Sequence, residues 1–287
     1  MLLWNKGGSL MDINLVLKEF DALFRQASPD EIHTFLTEHI RIAELEGDQG
    51  SLLTLLNEQI GFARETNRED IVLESGKRLL DLLSEMEIEG TVPYGSSLLN
   101  IANAYRAYGH YDESEALFQR AEQAYQVALD EGAYEFAGLY NNWSLLYMNL
   151  GQKEKAVCLM RRALKITDQF EKAVIRQATS RGNLAVVLLD LAKECDPELS
   201  EQRKREARKL LQEAVERHEA KGGQDYHFSA ILSTIADMEL EEGDYTKAAD
   251  YYRRAMNIIR MYMGENQHYN KLEKKLQFAL SCKKGDE

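Results

Sequence analysis

Apolar residues recur along most of the chain at intervals of three and four, the mark of helices that bury one stripe. The pattern predicts helix pairs over 13–26 with 30–46, 49–65 with 69–87, and 94–108 with 111–130. It continues through 134–150 with 153–170, 173–194 with 201–220, and 226–242 with 245–262. A last helix over 266–282 sets Tyr269, Leu272, Leu276, Ala279 and Cys282 on one side and Lys271, Lys274 and Lys275 on the other. A polar outer face of that kind suits a helix that caps an array. Residues 1–10 fit no helical pattern; a flexible tail is expected over 1–11, and Met1 and Met11 are both open as the natural start.

The helix pairs repeat. Gly109-His110-Tyr111, Gly151-Gln152-Lys153 and Gly243-Asp244-Tyr245 each separate two apolar helical runs, and each is followed by a small residue: Ser114, Ala156 and Ala248. A fourth copy lacks the glycine but keeps the small residue, Ala207, so the spacings are 42, 51 and 41. The longer interval places an insertion or extended turn near 193–202, around Pro197. Counting back by 42 reaches Val72 and then Asp30, which makes 12–90 a degenerate stretch of the same repeat. Small residues also recur as Ala102, Ser144, Ala185 and Ala236 on the first helix of each pair and as Ala121, Ala163, Ala214 and Ala255 on the second. Phe118, Met160, Leu211 and Tyr252 supply the bulk between them. Alternating small and large groups pack helices ridge into groove, and stacked pairs bury a core that one pair cannot.

This pattern resembles the tetratricopeptide repeat (TPR). The matching features are the small residue on the first helix, an aromatic three later in Tyr105 and Tyr147, and the turn glycine followed by small, large and alanine positions. The period exceeds the usual ~34 residues, and in this it resembles the elongated repeats of kinesin light chains. The likeness covers 96–262 well and 12–90 weakly. It implies an all-α, right-handed superhelical solenoid of antiparallel helix pairs. The expected organisation is a tail (1–11), degenerate N-terminal repeats (12–90), TPR repeats (91–263), and a capping helix with its tail (264–287).

Composition agrees with an all-helical chain: three prolines in 287 residues, 44% hydrophobic and 29% charged. Lys and Arg number 35 against 48 Asp and Glu, a net charge of −13, which argues against the basic footprint that nucleic-acid binding requires. No apolar run approaches the roughly 18 residues of a membrane span. Cys158, Cys195 and Cys282 are far apart, and no secretory signal is evident, so free thiols in the cytoplasm are expected. Cys158 is expected to pack on a second helix and Cys195 to be exposed in the insertion.

In the resembling family the first helices line a concave groove. By helical spacing the corresponding face here is Ser96, Asn100, Asn103 and Ala107, then Gly138, Asn142, Leu145 and Asn149. It continues as Thr179, Asn183, Val186 and Asp190, then Ala230, Thr234, Asp237 and Glu241. Asparagine recurs at one position as Asn100, Asn142 and Asn183, with Asn141 beside it, although asparagine is a poor mid-helix residue. The resemblance implies that these amides grip a peptide main chain, since each offers both donor and acceptor. The alternative reading is that they bond neighbouring helices. Glu58 and Thr234 depart from the amide, which centres the groove on the middle copies. Arg176 lies one turn upstream and could pair a ligand carboxylate, or be an ordinary solvated helix start. Asp190, Asp237 and Glu241 turn one end acidic, which suits a basic ligand or simply reflects solvated carboxylates. Ser96, Gly138, Thr179 and Ala230 stand where chaperone-binding relatives place Lys or Arg, which argues against a carboxylate clamp.

Arg181 and Glu239 interrupt apolar positions in adjacent copies; either they form a partly buried pair, or Glu239 is exposed near the array end. Arg203, Lys204, Arg205, Arg208 and Lys209 make a locally basic stretch interleaved with Glu201, Glu206 and Glu213, read as a charge-laced outer helix. No phosphate loop, HExxH motif or catalytic constellation is present, and His33 and His39 lie on different sides of a helix. No enzyme activity, cofactor or metal is therefore expected. The expectation is a scaffold that binds a peptide or helix of a protein partner, with no nucleic acid or membrane. A peptide-responsive regulator and a homo-oligomeric adaptor remain as alternatives.

Overall fold

A computed structural model of the chain describes residues 11–23, 27–170, 173–220 and 226–283. Among these residues there are thirteen α-helices and no strand. The predicted tail over 1–10 and the predicted helical residues 24–26 lie outside the described residues. The chain forms two compact units, 1–146 and 147–287. The first contains α1 (Ile13–Leu23), α2 (Pro29–Glu46), α3 (Gln49–Glu65), α4 (Glu69–Glu85), α5 (Val92–Ala107) and α6 (Tyr111–Ala128). Helix α7 (Tyr134–Asn149) runs across the division. The second contains α8 (Lys153–Thr167), α9 (Val174–Ala192), α10 (Pro197–Ala220), α11 (Tyr226–Glu241), α12 (Tyr245–Met263) and α13 (Gln267–Lys283).

Local chemistry starts and stops these helices. Ser28 and Glu31 form a reciprocal capping box ahead of α2, with Pro29 at the first position. The Asp48, Thr91 and Asp244 side chains accept amide hydrogens at the starts of α3, α5 and α12. Five helices end in one geometry, in which a residue two or three beyond the helix donates its amide to the carbonyl five positions back. The pairs are Asp48 to Ala43, Arg68 to Ala63, His110 to Tyr105, Gln152 to Tyr147 and Asp244 to Glu239, at 2.8–3.1 Å. The residue before each donor is left-handed: Gly47, Asn67, Gly109, Gly151 and Gly243. Asn67, at φ 58°, thus fills the turn-glycine position of the degenerate copy, being the side chain that best tolerates that conformation after glycine.

The small residues of both helices are fully buried: Ala102, Ser144, Ala185 and Ala236 on the first, and Ala121, Ala163, Ala214 and Ala255 on the second. Phe118, Met160, Leu211 and Tyr252 fill the space between them, each such buried side chain contributing about 1.5–3 kcal/mol. In the first unit Asn57, on α3, donates to the Ser97 hydroxyl at 2.9 Å, and the Tyr108 hydroxyl donates to the Ala63 carbonyl at 3.3 Å. The α3–α4 pair is therefore seated on α5 as one repeat on the next. In the second unit Tyr269, Leu272, Leu276 and Ala279 of α13 join the core, while its lysines face outward or sideways.

Three expectations need correction. The additional residues of the long copy are mostly helical: α10 starts at Pro197, four residues before the predicted 201, with Asp196 accepting the Leu199 amide at 3.1 Å. Arg181 and Glu239 are both buried but do not pair with each other. Arg181 makes a two-pronged contact with Asp168 (2.8 and 2.9 Å) and a third with Glu213 (3.0 Å), whereas Glu239 pairs with Arg208 (2.6 Å). Helix α10 supplies Glu213 and Arg208, so each charge finds a partner there. Cys158 is exposed rather than packed, and Cys195 is half-buried rather than exposed.

Candidate functional site

None of the sixteen residues assigned to the first-helix face is buried. Their side chains differ in how far the protein itself uses them. In the first unit the Asn100 amide nitrogen donates to the Asn57 carbonyl (2.9 Å) and to the Asn57 side-chain oxygen (3.2 Å). The Asn57 amide in turn donates to Leu53 and Ser97. Asn100 therefore fastens α5 to α3 through its donor end. Asn142 donates to the Gly138 carbonyl of its own helix at 2.9 Å. In both residues the donor is used internally, and the side-chain oxygen has no partner among the described residues. Asn103 accepts from the Arg106 guanidinium at 3.0–3.2 Å. Asn141 is half-buried and Asn149 exposed, and both take part in contacts of their own.

In the second unit Asn183 is exposed, with no hydrogen-bond partner among the described residues. Arg176 is exposed and engaged, and the Thr234 hydroxyl donates back to Ala230 at 2.9 Å. Of the three acidic residues at this end Glu241 is exposed, and the other two are held by cations. Asp190 meets the Lys153 ammonium at 2.7 Å, which holds its carboxyl below the usual carboxylate range. Asp237 receives Lys275 at 2.7 Å and the Tyr252 hydroxyl at 2.5 Å. Burial, followed by the bond to Asp237, pushes that hydroxyl far above the ordinary tyrosine range. The acidity of this end is thus largely neutralised within the fold.

Two features were not legible. Asn57 escaped because the first-helix register was counted from the turn, which points to Glu58; α3 carries one more residue between amide and turn than α5 does. The second is an apolar component. Leu145 and Val186, each three residues after an asparagine of the series, are 36% and 47% exposed, and Ile175, eight before Asn183, is 48% exposed. Asn142 and Asn183 are thus each flanked on their own helix by an exposed aliphatic side chain, whereas Asn103 holds the equivalent place after Asn100.

Among the described residues no helix is long and apolar enough to cross a membrane, and no group of three His, Cys, Asp or Glu side chains could hold a metal ion. Tetratricopeptide repeat family models match residues 95–131 and 137–170. No curated protein sequence matches the chain. Among solved structures, BtubC (BKLC) from P. vanneervenii superposes with a TM-score of 0.53 at 20% identity, over 79% of this chain and 87% of that one. The putative kinesin light chain nearly identical TPR-like repeats of Podosopora anserina give 0.56 at 16% identity, over 73% of this chain and 95% of that one. RapI in its apo form gives 0.65 at 14% identity, over 95% of this chain and 72% of that one. At such identities these likenesses establish the fold.

Proposed function

Since the chain is a tetratricopeptide repeat protein, we propose that it is a non-enzymatic adaptor whose first-helix faces bind a peptide or helix of a partner protein. The repeats support a protein-interaction scaffold in general terms. The finer reading rests on one observation: side-chain oxygens of Asn100 and Asn142, and the whole amide of Asn183, are left without internal partners, and exposed Leu145 and Val186 lie three residues after Asn142 and Asn183. Oxygens so placed accept main-chain N–H groups, while the aliphatic side chains take up apolar ligand surface. Asn103, Asn141, Asn149, Arg176, Asp190, Thr234 and Asp237 border these positions. The three free thiols suit a reducing compartment, and we place the protein in the cytoplasm.

The test is capture of partners from native lysate by the wild-type protein and by an Asn100→Ala/Asn142→Ala/Asn183→Ala variant of matching helicity. With about 0.5–1.5 kcal/mol per hydrogen bond, the captured partner is expected to bind the variant more than about tenfold more weakly. Equal binding to both proteins would reject the amide faces as the working surface.

A further inference from the structure

A cleft of about 620 Å³ opens in the second unit between the second helices α8 and α10, floored by the end of α9. Its volume lies within the range of about 300–1,000 Å³ typical of ligand sites. The floor is apolar, from Val157, Leu188 and Leu191. The early start of α10 adds Leu199 to one wall. Two arginines tie the walls together. Arg203 reaches from α10 to the Leu191 carbonyl (3.0 Å) and to Glu154 (2.9 Å), and Arg161 reaches from α8 to both oxygens of Glu206 (2.8 and 2.9 Å). Both carboxylates of the lining are thus engaged by arginine. Exposed Lys165 and Arg162, the latter with a contact of its own, complete the rim, so the lining carries four cations and two carboxylates in a chain whose net charge is −13.

We propose that this cleft is a docking site for an acidic segment of a partner protein that inserts one bulky apolar side chain. The local excess of positive charge attracts carboxylates and disfavours basic segments. The apolar floor supplies the anchor position, where buried bulky side chains contribute most to binding. Along α8 the lining runs from Glu154 to Lys165, roughly 16 Å at the helical rise of ~1.5 Å per residue. A run of that length fits about three helical turns of a bound segment better than a small anion. The site is separate from the first-helix faces and independent of their function.

Exposed Cys158, which lines the cleft, makes the proposal measurable. Peptides would be selected from a random display library on the wild-type protein, then measured by fluorescence anisotropy and by their ability to shield Cys158 from alkylation. The expected winners carry Asp and Glu around one Leu, Phe or Trp, and they slow alkylation of Cys158. They are expected to bind about tenfold or more weakly to Arg162→Glu/Lys165→Glu and to Cys158→Trp, and to weaken with salt. They should bind the triple asparagine variant as they bind wild type. All three altered positions of the cleft variants are exposed, and circular dichroism checks that the fold is kept. Winners without acidic bias, winners that leave Cys158 reactive, or winners that lose binding only to the asparagine variant would each overturn the proposal.

Discussion

Gly95 shows how closely single positions are constrained. A β-carbon added there would lie 2.6 Å from the ring of Tyr125, which is buried and anchored by its hydroxyl to Ser96 at 2.9 Å. Alanine is the better helix former by about 1 kcal/mol, but overpacking a fixed ring costs about 1–3 kcal/mol. Gly95→Ala is therefore expected to lower stability by up to about 2 kcal/mol in urea unfolding, against its propensity. Glu58 carries a different cost. Burial, and then the nearby charges of Asp21 and Glu65, raise its carboxyl above the ordinary glutamate value. A raised carboxyl favours the fold when protonated and loses that contribution as pH rises through its folded value. Glu58→Gln is expected to raise the melting temperature at pH 7 and to leave it unchanged at pH 4, below the ordinary glutamate value of ~4.3. Thermal melts at the two pH values check the sign.

At the scale of elements, α10 carries charges for both of its neighbours. Burial works against the charge of Arg181, and its bonds to Asp168 and Glu213 more than offset this, holding the guanidinium above its ordinary value. Removing it leaves two carboxylates facing each other without the cation between them. Breaking a buried pair costs about 3–5 kcal/mol, and because both carboxylates are a third exposed, Arg181→Met is expected near the lower end, about 3 kcal/mol. Adding Asp168→Asn and Glu213→Gln should recover much of the loss in denaturant titrations. The sequence exposed the helix pairs because steric demands are carried by residue type: a glycine where φ is positive, an alanine where helices touch. It did not show which charge Arg181 meets, because that depends on a third helix and on where α10 begins. The Cys158 cleft was hidden for the same reason, since it lies between helices of different pairs. The asparagine series was visible as a spacing, but the use of its donor ends within the protein was not.

For the whole chain, the final helix closes the apolar surface of the second unit. Tyr269, Leu272, Leu276 and Ala279 are buried, and Lys275 of the same helix holds Asp237. Ending the chain at residue 265 is expected to cost several kcal/mol, lowering the melting temperature by about 2–4 °C for each, and to raise binding of an apolar-surface dye. An unchanged melt would show that α13 is not needed as a cap. The recurring turn has a consequence for synthesis. Each of the five closes through a hydrogen bond spanning five residues, so its formation needs no distant part of the chain. Low contact order of this kind favours fast folding. A ribosome releasing the protein N-terminus first would let each hairpin shut as it emerges and settle on the one already made, keeping little apolar surface exposed to aggregation during growth.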